Sequence, residues 1–311
     1  MMGRRRNKGR PVHGWIILDK DYDFGSTEAV SKLKWLFQAQ KAGHAGTLDP
    51  LATGVLPIAF GEATKTVPYV MEATKRYRFT ARWGNATTTD DLEGEGIASS
   101  DHRPARDDIE AALTDFTGEI EQVPPAFSAI KVDGARAYDL AREGEAVELQ
   151  ARTIFVHSLE LVDVPDADHA VLEAVTGKGA YVRALVRDLA RALGTEGCVS
   201  KLRRVAVGPF SEDDAISLAD LEAYETPEAR DDTLMPVGLA LSSLPQASIG
   251  GPEADKLRRG QAAIVSPATA KGVRGETSGT IPAVLASLHD EPVAICELEG
   301  LKLKPSRVFN L

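Results

Sequence analysis

The chain has 311 residues, 43% of them hydrophobic and 26% charged, which suits a globular protein of one large domain plus a small one. No apolar run approaches the roughly 18 residues that cross a bilayer, and the two cysteines, Cys198 and Cys296, stand far apart without a CxxC pattern, which argues against a disulfide framework and a structural zinc site. The net charge of -10 and pI near 5.2 weigh against a nucleic-acid partner as an average, but base gathers at 4–10, 76–82, 183–191 and 201–204 and acid at 89–121, 212–232 and 289–299, so one face could still meet a polyanion.

The N-terminus, "MMGRRRNKGR", reads as a basic tail over 1–11. Only "WIIL" follows it as an apolar patch, too short for a signal peptide, and a cytoplasmic protein is expected. "HGWIILDK" (13–20) predicts a buried strand. "STEAVSKLKWLFQ" (26–38) predicts a helix capped by Ser26 or Thr27, with Val30, Leu33, Leu36 and Phe37 on one face. A loop over 43–54 leads into a strand, "VLPIAF" (55–60). In "KRYRFTARWG" (75–84) Tyr77, Phe79, Ala81 and Trp83 alternate with Arg76, Arg78, Thr80 and Arg82, so one strand face meets a core and the other carries guanidinium groups.

Residues 85–106 read as loop, and "RDDIEAALTDFTG" (106–118) as a capped helix ending at Gly118. The stretch 124–149 mixes a short strand, a turn at Asp133-Gly134 and a helix. Strands are predicted at 153–163 and 170–176. A helix follows over 181–194, with Val182, Leu185, Val186, Leu189 and Leu193 on its apolar face and Arg183, Arg187 and Arg191 opposite, the last two as a solvated stripe able to meet phosphate. "SKLRRVAVGPF" (200–210) predicts a strand. Near 244 a Gly-, Pro- and Ser-containing run reads as a linker to a small β-rich unit. Strands and helices mix without a βαβ rhythm, which favours an α+β main domain.

The common catalytic patterns are missing. The sequence has no phosphate-binding glycine loop and no G-x-S-x-G elbow, and its six histidines are scattered without ligand spacing. What remains is Asp49 within "GHAGTLDPLATG" (43–54). A lone Leu-Asp-Pro is usually a turn. Here small residues flank it on both sides and would let a large flat substrate approach the backbone.

"AGHAGTLDPLATGVLPIAFGEATK" (42–65) resembles the signature loop of the TruB family of pseudouridine synthases, which isomerise the T-loop uridine of transfer RNA. "LDK" (18–20), "KRYR" (75–78), "GKGAYVRALVRDLA" (177–190) and "LRR" (202–204) match further family segments in order, covering about residues 12 to 240. The resemblance implies a pseudouridine synthase fold with a mixed, mainly antiparallel central sheet and flanking helices over 12–244. It also implies an RNA-clamping insertion at about 125–150 and a small PUA-like RNA-binding domain over 248–311.

By the same resemblance, Asp49 is the nucleophile that attacks the target nucleotide, at the base or at the ribose. A carboxylate needs no activating base at neutral pH. The base detaches, turns and rejoins through carbon, with no cofactor and no metal. Tyr77 packs on the flipped uracil and helps remove the C5 proton. Arg183 pairs with Asp49, since an adjacent guanidinium favours the charged carboxylate. His44 enters the T-loop and helps displace the target base. Tyr181 and Leu202 line the base pocket, and Lys20 joins the substrate-binding set as support for the active loop. Lys131, Arg136, Arg142, Arg187 and Arg204 are candidate phosphate contacts.

The chain departs from the family pattern at "DKDYDFGSTE" (19–28), which lacks a proline after the lysine. It departs again at Ala180 in place of a threonine, and at Thr88 in "TTTDD" (87–91) in place of an aspartate, while Asp91 matches the second acid. None of these touches Asp49, Tyr77 or Arg183, so activity is expected to persist with altered loop dynamics. The resemblance also implies a tRNA-folding chaperone role beside catalysis. A guide-RNA-dependent synthase is a further alternative; the first strand begins near residue 13 and the chain ends soon after the small unit, which favours an independent monomer. A generic carboxylate hydrolase would want a second catalytic acid.

Overall fold

The computed structural model describes residues 9–128, the backbone of 131–132 and 135–136, and residues 149–311. A large mixed sheet takes most of the chain. It is built from β1 (Gly14–Lys20), β2 (Ala42–His44), β3 (Thr53–Phe60), β4 (Lys75–Trp83), β7 (Gly118–Gln122), β10 (Arg152–Asp166), β11 (His169–Thr176), β12 (Gly197–Val207), β13 (Phe210–Ser211) and β14 (Ile216–Ser217). Two small hairpins complete the strand numbering on this side, β5 (Asn85–Thr87) with β6 (Gly96–Ser99) and β8 (Lys131–Val132) with β9 (Ala135–Arg136). The sheet runs β14-β1-β3-β12-β4-β11-β10-β7, with β2 against β3 and β13 against β12. Only the β1–β14 and β3–β12 pairs are parallel. This is the mixed, mainly antiparallel α+β architecture expected from the sequence.

Burial explains why the strands read so differently. β1 is apolar without alternation because both of its faces are covered. Trp15 and Ile17 pack with Val55, Ala59, Val207 and Phe210. Ile16 and Leu18 face the other way, onto Ala29, Leu33 and Leu36 of helix α1 (Ser26–Leu36). β4 alternates because only one face is covered. Phe79, Ala81 and Trp83 meet the core under helices α3 (Arg106–Ala112) and α4 (Val182–Ala192), while Arg76, Arg78 and Arg82 are exposed, the first two beside Glu173 of β11. A short helix α2 (Val67–Glu72) precedes β4.

The structure corrects several local expectations. α1 begins after Gly25 with no side-chain cap; Ser26 instead turns inward, its hydroxyl donating to the Leu48 carbonyl at 2.8 Å and accepting from the Leu48 amide at 2.9 Å. Residues 85–99 are not loop but the β5–β6 hairpin, whose backbone pairing needs no apolar alternation. α3 gives way at Leu113 to a 3-10 turn before Gly118, and it too lacks a side-chain cap. The helix expected within 124–149 lies outside the described residues.

The supposed linker near 244 is structured. β15 (Gln246–Ser248) runs parallel to β17 (Ile281–Leu288) in a second sheet with β16 (Ala263–Ile264), β18 (Glu291–Glu299) and β19 (Lys302–Val308), ordered β15-β17-β18-β19-β16. Val284 and Ala286 face this unit's own core, but Leu285, Ile295 and Phe309 join Trp15, Val237 and Leu241 in the neighbouring one. Lys65 and Glu62 close the same seam by bonding the Val308 carbonyl and the Asn310 amide, at 2.7 and 2.8 Å. Among the described residues, no helix is long and apolar enough to cross a membrane.

Candidate active site

The loop between β2 and β3 is held from beneath by three side chains, which leaves Asp49 to project. Lys20, at the end of β1, is completely buried and donates to the carbonyls of Asp21, Phe24 and Pro50 at 2.8, 2.6 and 3.0 Å. It therefore carries the loop's backbone and is out of reach of a substrate, which corrects its place among the substrate-binding residues. Ser26 grips Leu48. Arg204 of β12 is 1% exposed and donates to the carbonyls of Val55 (2.8 Å), Gly46 (3.1 Å) and Thr47 (3.4 Å). It cannot be a phosphate contact, because its guanidinium is spent inside the protein. Burial pulls Arg204 below the ordinary guanidinium range, and the neighbouring Tyr77 and Asp49 offset this in part.

Gly54 shows how tightly this floor is packed. Its φ is +95°, and a Cβ there would lie 2.3 Å from the Arg204 carbonyl oxygen, its parallel-strand neighbour. Gly54→Ala should cost about 3 kcal/mol or more, since both backbone strain and a backbone clash oppose it. The urea midpoint would report this, and a loss below about 1 kcal/mol would mean that the loop and β12 separate freely.

Asp49 is met by Arg183 from the first turn of α4. Asp49 Oδ1 accepts a hydrogen bond from Nη2 at 3.1 Å, and Oδ2 lies 2.9 Å from Nε as an ion-pair contact without hydrogen-bond geometry. The Arg183 side chain is only 5% exposed whereas that of Asp49 is 34% exposed, so the acid faces outward and the base inward. Arg183 also donates to the carbonyls of Thr89 (2.8 Å) and Phe127 (2.9 Å), and Asp91 stands 3.7 Å from its Nε. Asp91 is itself fixed by the Thr89 hydroxyl and the Glu93 amide, at 2.5 and 3.0 Å. A cleft lined by Asp49, Leu51, Ala52, Asp91, Arg183 and Leu202 opens over this pair.

Tyr77 lies on β4 directly opposite Arg204 of β12, half-buried, at the edge of the core that Phe79 anchors. Leu202 is half-buried two residues before Arg204. Tyr181 precedes α4; its amide and carbonyl bond the Gln122 side chain at 2.8 and 3.1 Å, and the Arg152 guanidinium sits 5.3 Å over its ring. His44 ends β2, opposite Ile58, and is half-buried. The structure thus brings Asp49, Arg183 and Leu202 to one cleft and sets Tyr77 against the Arg204 that supports it.

Arg187 is not part of a solvated stripe or free to bind phosphate. Its side chain is 12% exposed and engaged by Asp90 at 3.0 Å and Asp188 at 2.8 Å. Lys131 and Arg136 pair across β8 and β9. Arg142 lies outside the described residues. Asp90 and the inward turn of Ser26 escaped the sequence reading; the crowding of polar residues in "TTTDD" was the available sign. Among the described residues no three His, Cys, Asp or Glu side chains converge as a metal would need.

Burial also lowers the two lysines beside the site, Lys20 and Lys75, to about 8 from an ordinary 10.5, with Asp49 opposing the fall at Lys20. Each amine binds its proton more weakly folded than unfolded, so the cost of burying the charge is full below pH 8 and is relieved as pH rises toward 10.5. Wild type should therefore gain stability relative to Lys20→Met between pH 8 and pH 10 in denaturant melts. A difference that stays flat with pH would contradict a weakly basic Lys20.

Residues 34–182 match the model of the TruB family pseudouridylate synthase N-terminal domain. Residues 183–242 match that of the tRNA pseudouridylate synthase B C-terminal domain. The chain is 52% identical over 307 residues to the tRNA pseudouridine synthase B of Caulobacter vibrioides, covering 99% of both. The chain belongs to the TruB family. It is 49% identical to the tRNA pseudouridine synthase B of Brucella ovis over 329 residues, covering 100% of this chain and 99% of the relative. The fold of the TruB chain is shared with solved structures at lower identity. A Cbf5-Nop10-Gar1 complex aligns at TM-score 0.71 and 24% identity, covering 96% of this chain and 85% of its counterpart. An H/ACA RNP bound to a substrate RNA containing 2'-deoxyuridine aligns at TM-score 0.73 and 22% identity, covering 99% and 92%. The chain is a pseudouridine synthase, an isomerase, and Asp49 and Arg183 fall on either side of the boundary between the two family models.

Proposed function

We propose that this TruB chain converts the T-loop uridine of transfer RNA, position 55, to pseudouridine, with Asp49 as nucleophile on a flipped-out nucleotide. The observation that carries the reading is the two-point contact between half-exposed Asp49 and buried Arg183, at the floor of a cleft that Leu202 lines. Arg183 holds both carboxylate oxygens, which fixes the direction of attack and costs no reorganisation when a nucleotide arrives.

Asp49 forms a bond to the target nucleotide, at the base or at the ribose, as the N1 glycosidic bond breaks. The freed uracil turns within the cleft, held between Tyr77 and Leu202. A carbon–carbon bond then forms between C5 and the ribose, the bond to Asp49 is released, the C5 hydrogen leaves as a proton to water with the help of Tyr77, and N1 takes up a proton from water in its place. Substrate and product are isomers, so neither an oxidant nor a cofactor enters the balance. We assign His44, at the start of the loop, to the space that the flipped nucleotide leaves, and Tyr181, just before α4, to the border of the base pocket.

The relatives at about half identity carry tRNA in their names, which supports tRNA as substrate, and action without a guide RNA is part of the same proposal. We assign the 248–311 unit a PUA-like, RNA-binding role, and the 125–150 segment with Lys131, Arg136 and Arg142 the clamping of the stem. A cytoplasmic monomer completes the reading.

The test is tritium release from a tRNA transcript carrying 5-tritiated uridine. One equivalent released per tRNA by wild type is the expected result. Tight tRNA binding with no release would replace this reading with that of a folding chaperone.

A further inference from the structure

Two arginines on α4, one helical turn apart, make parallel sets of contacts. Arg183 reaches the Thr89 and Phe127 carbonyls as well as Asp49. Arg187 reaches the Asp90 carboxylate, Nη1 to Oδ2 at 3.0 Å, and the Val123 carbonyl, Nη2 to O at 2.7 Å, while its Nε is held by Asp188 at 2.8 Å. Thr89 and Asp90 are adjacent in the turn between β5 and β6, and Val123 and Phe127 share the segment after β7. Both guanidinium groups therefore bridge the same two segments to one helix.

Asp90 is a demanding residue to place there. It is 9% exposed and has φ +60°, a left-handed conformation that an L-residue other than glycine adopts at a cost. Burial raises its carboxyl group above the usual range in spite of Arg187 and Arg183 nearby. Its carbonyl accepts from the Val199 amide at 3.0 Å, at the β12 stretch that leads into the cleft. A buried acid in a strained turn, matched by a nearly buried arginine, fixes this turn at one distance from α4.

We propose that Asp90 and Arg187 are positioning residues for catalysis: their ion pair locks the 87–91 turn and the 123–127 segment onto α4, and so sets where Arg183 meets Asp49. The inference rests on the reading of Asp49 and Arg183 as the reacting pair. A displacement of about 1 Å at a catalytic contact can lower a rate a hundredfold, so a residue with no substrate contact can control the chemical step.

The experiment compares Arg187→Met, Asp90→Asn, the double variant and the conservative Arg187→Lys with wild type. It uses single-turnover tritium release from a tRNA transcript, filter binding of the same RNA, and thermal melting. Arg187→Met should slow the single-turnover step roughly tenfold to a hundredfold, with RNA affinity changed by less than about threefold. Arg187→Lys should recover part of the rate, and the double variant should be no slower than Arg187→Met, because both changes break one interaction. A lowered melting temperature with the chemical step at wild-type speed would overturn the inference, as would additive losses in the double variant. Asp49→Asn is run in parallel to separate the two claims. If it is inactive while Arg187→Met turns over at full speed, only the positioning role fails. If Asp49→Asn itself turns over normally, the reading beneath it fails.

Discussion

Asp49→Asn should abolish tritium release from 5-tritiated tRNA while leaving RNA affinity within about tenfold of wild type, since phosphate and shape contacts dominate RNA binding. The substitution is nearly isosteric. The asparagine oxygen can still accept from Arg183, and the backbone around it stays tied to Lys20, Ser26 and Arg204. What it removes is the anionic oxygen that the proposed attack on the nucleotide requires, for which a neutral amide is no substitute. The loss is therefore expected in the single-turnover rate and not in binding. Release at the wild-type rate would show that another group attacks, and the reading of the loop would fall.

Arg204→Met should be the most damaging substitution away from the reacting atoms, costing about 3–5 kcal/mol of stability. The side chain is 1% exposed and supplies the carbonyls of Val55, Gly46 and Thr47. Methionine fills much of the volume but donates nothing, so three backbone acceptors lose their donor and the loop loses one of its three anchors. Arg204→Lys carries a single donor point and should recover only part of the loss. Urea melts would measure the effect, with an unchanged slope indicating that the folded state keeps its compactness. A loss under about 1 kcal/mol would mean that Arg204 is a passenger in the loop's architecture.

The contrast between these two residues explains how much of the site was legible in the sequence. Asp49 stood out because its surroundings are chemically odd: one acid is flanked on both sides by small residues that leave its backbone open to a large flat substrate. Arg204 could not, because "LRR" in a strand says that one of the two arginines faces inward without saying what lies there. Arg203 keeps partly to solvent, paired with Asp19 at 2.9 Å and with Glu212. Arg204, one residue on, points to the opposite side, into a ring of carbonyls. The same ambiguity misplaced Arg187, expected to meet phosphate and turned inward onto Asp90 and Asp188, whereas Lys20 supports the loop as expected but is too buried to touch a substrate. A charged residue on a pattern is assumed to be solvated, and the assumption fails where loop backbone or a buried acid provides partners.

The elements themselves were mostly decided locally. β4 alternates because one of its faces is open, α4 carries a continuous apolar stripe, and the 153–163 and 170–176 strands are longer in the structure but correctly placed. The β5–β6 hairpin was missed because its pairing is carried by backbone bonds between polar residues. The composition of the 244–250 run, rich in glycine, proline and serine, suits a linker; its strand exists only because β17 lies alongside.

By itself the sequence determined the α+β class, the main helices and strands, and a loop whose one acid lies bare among small residues, since these follow from short-range periodicity and residue chemistry. Only the tertiary structure decided that Arg183 meets that acid from 134 positions away, that Asp90 and Arg187 face each other, and that Lys20, Arg187 and Arg204 turn inward onto the protein's own carbonyls. Those outcomes depend on which segments the sheet brings together, and a one-residue change of strand register would exchange every inward and outward charge.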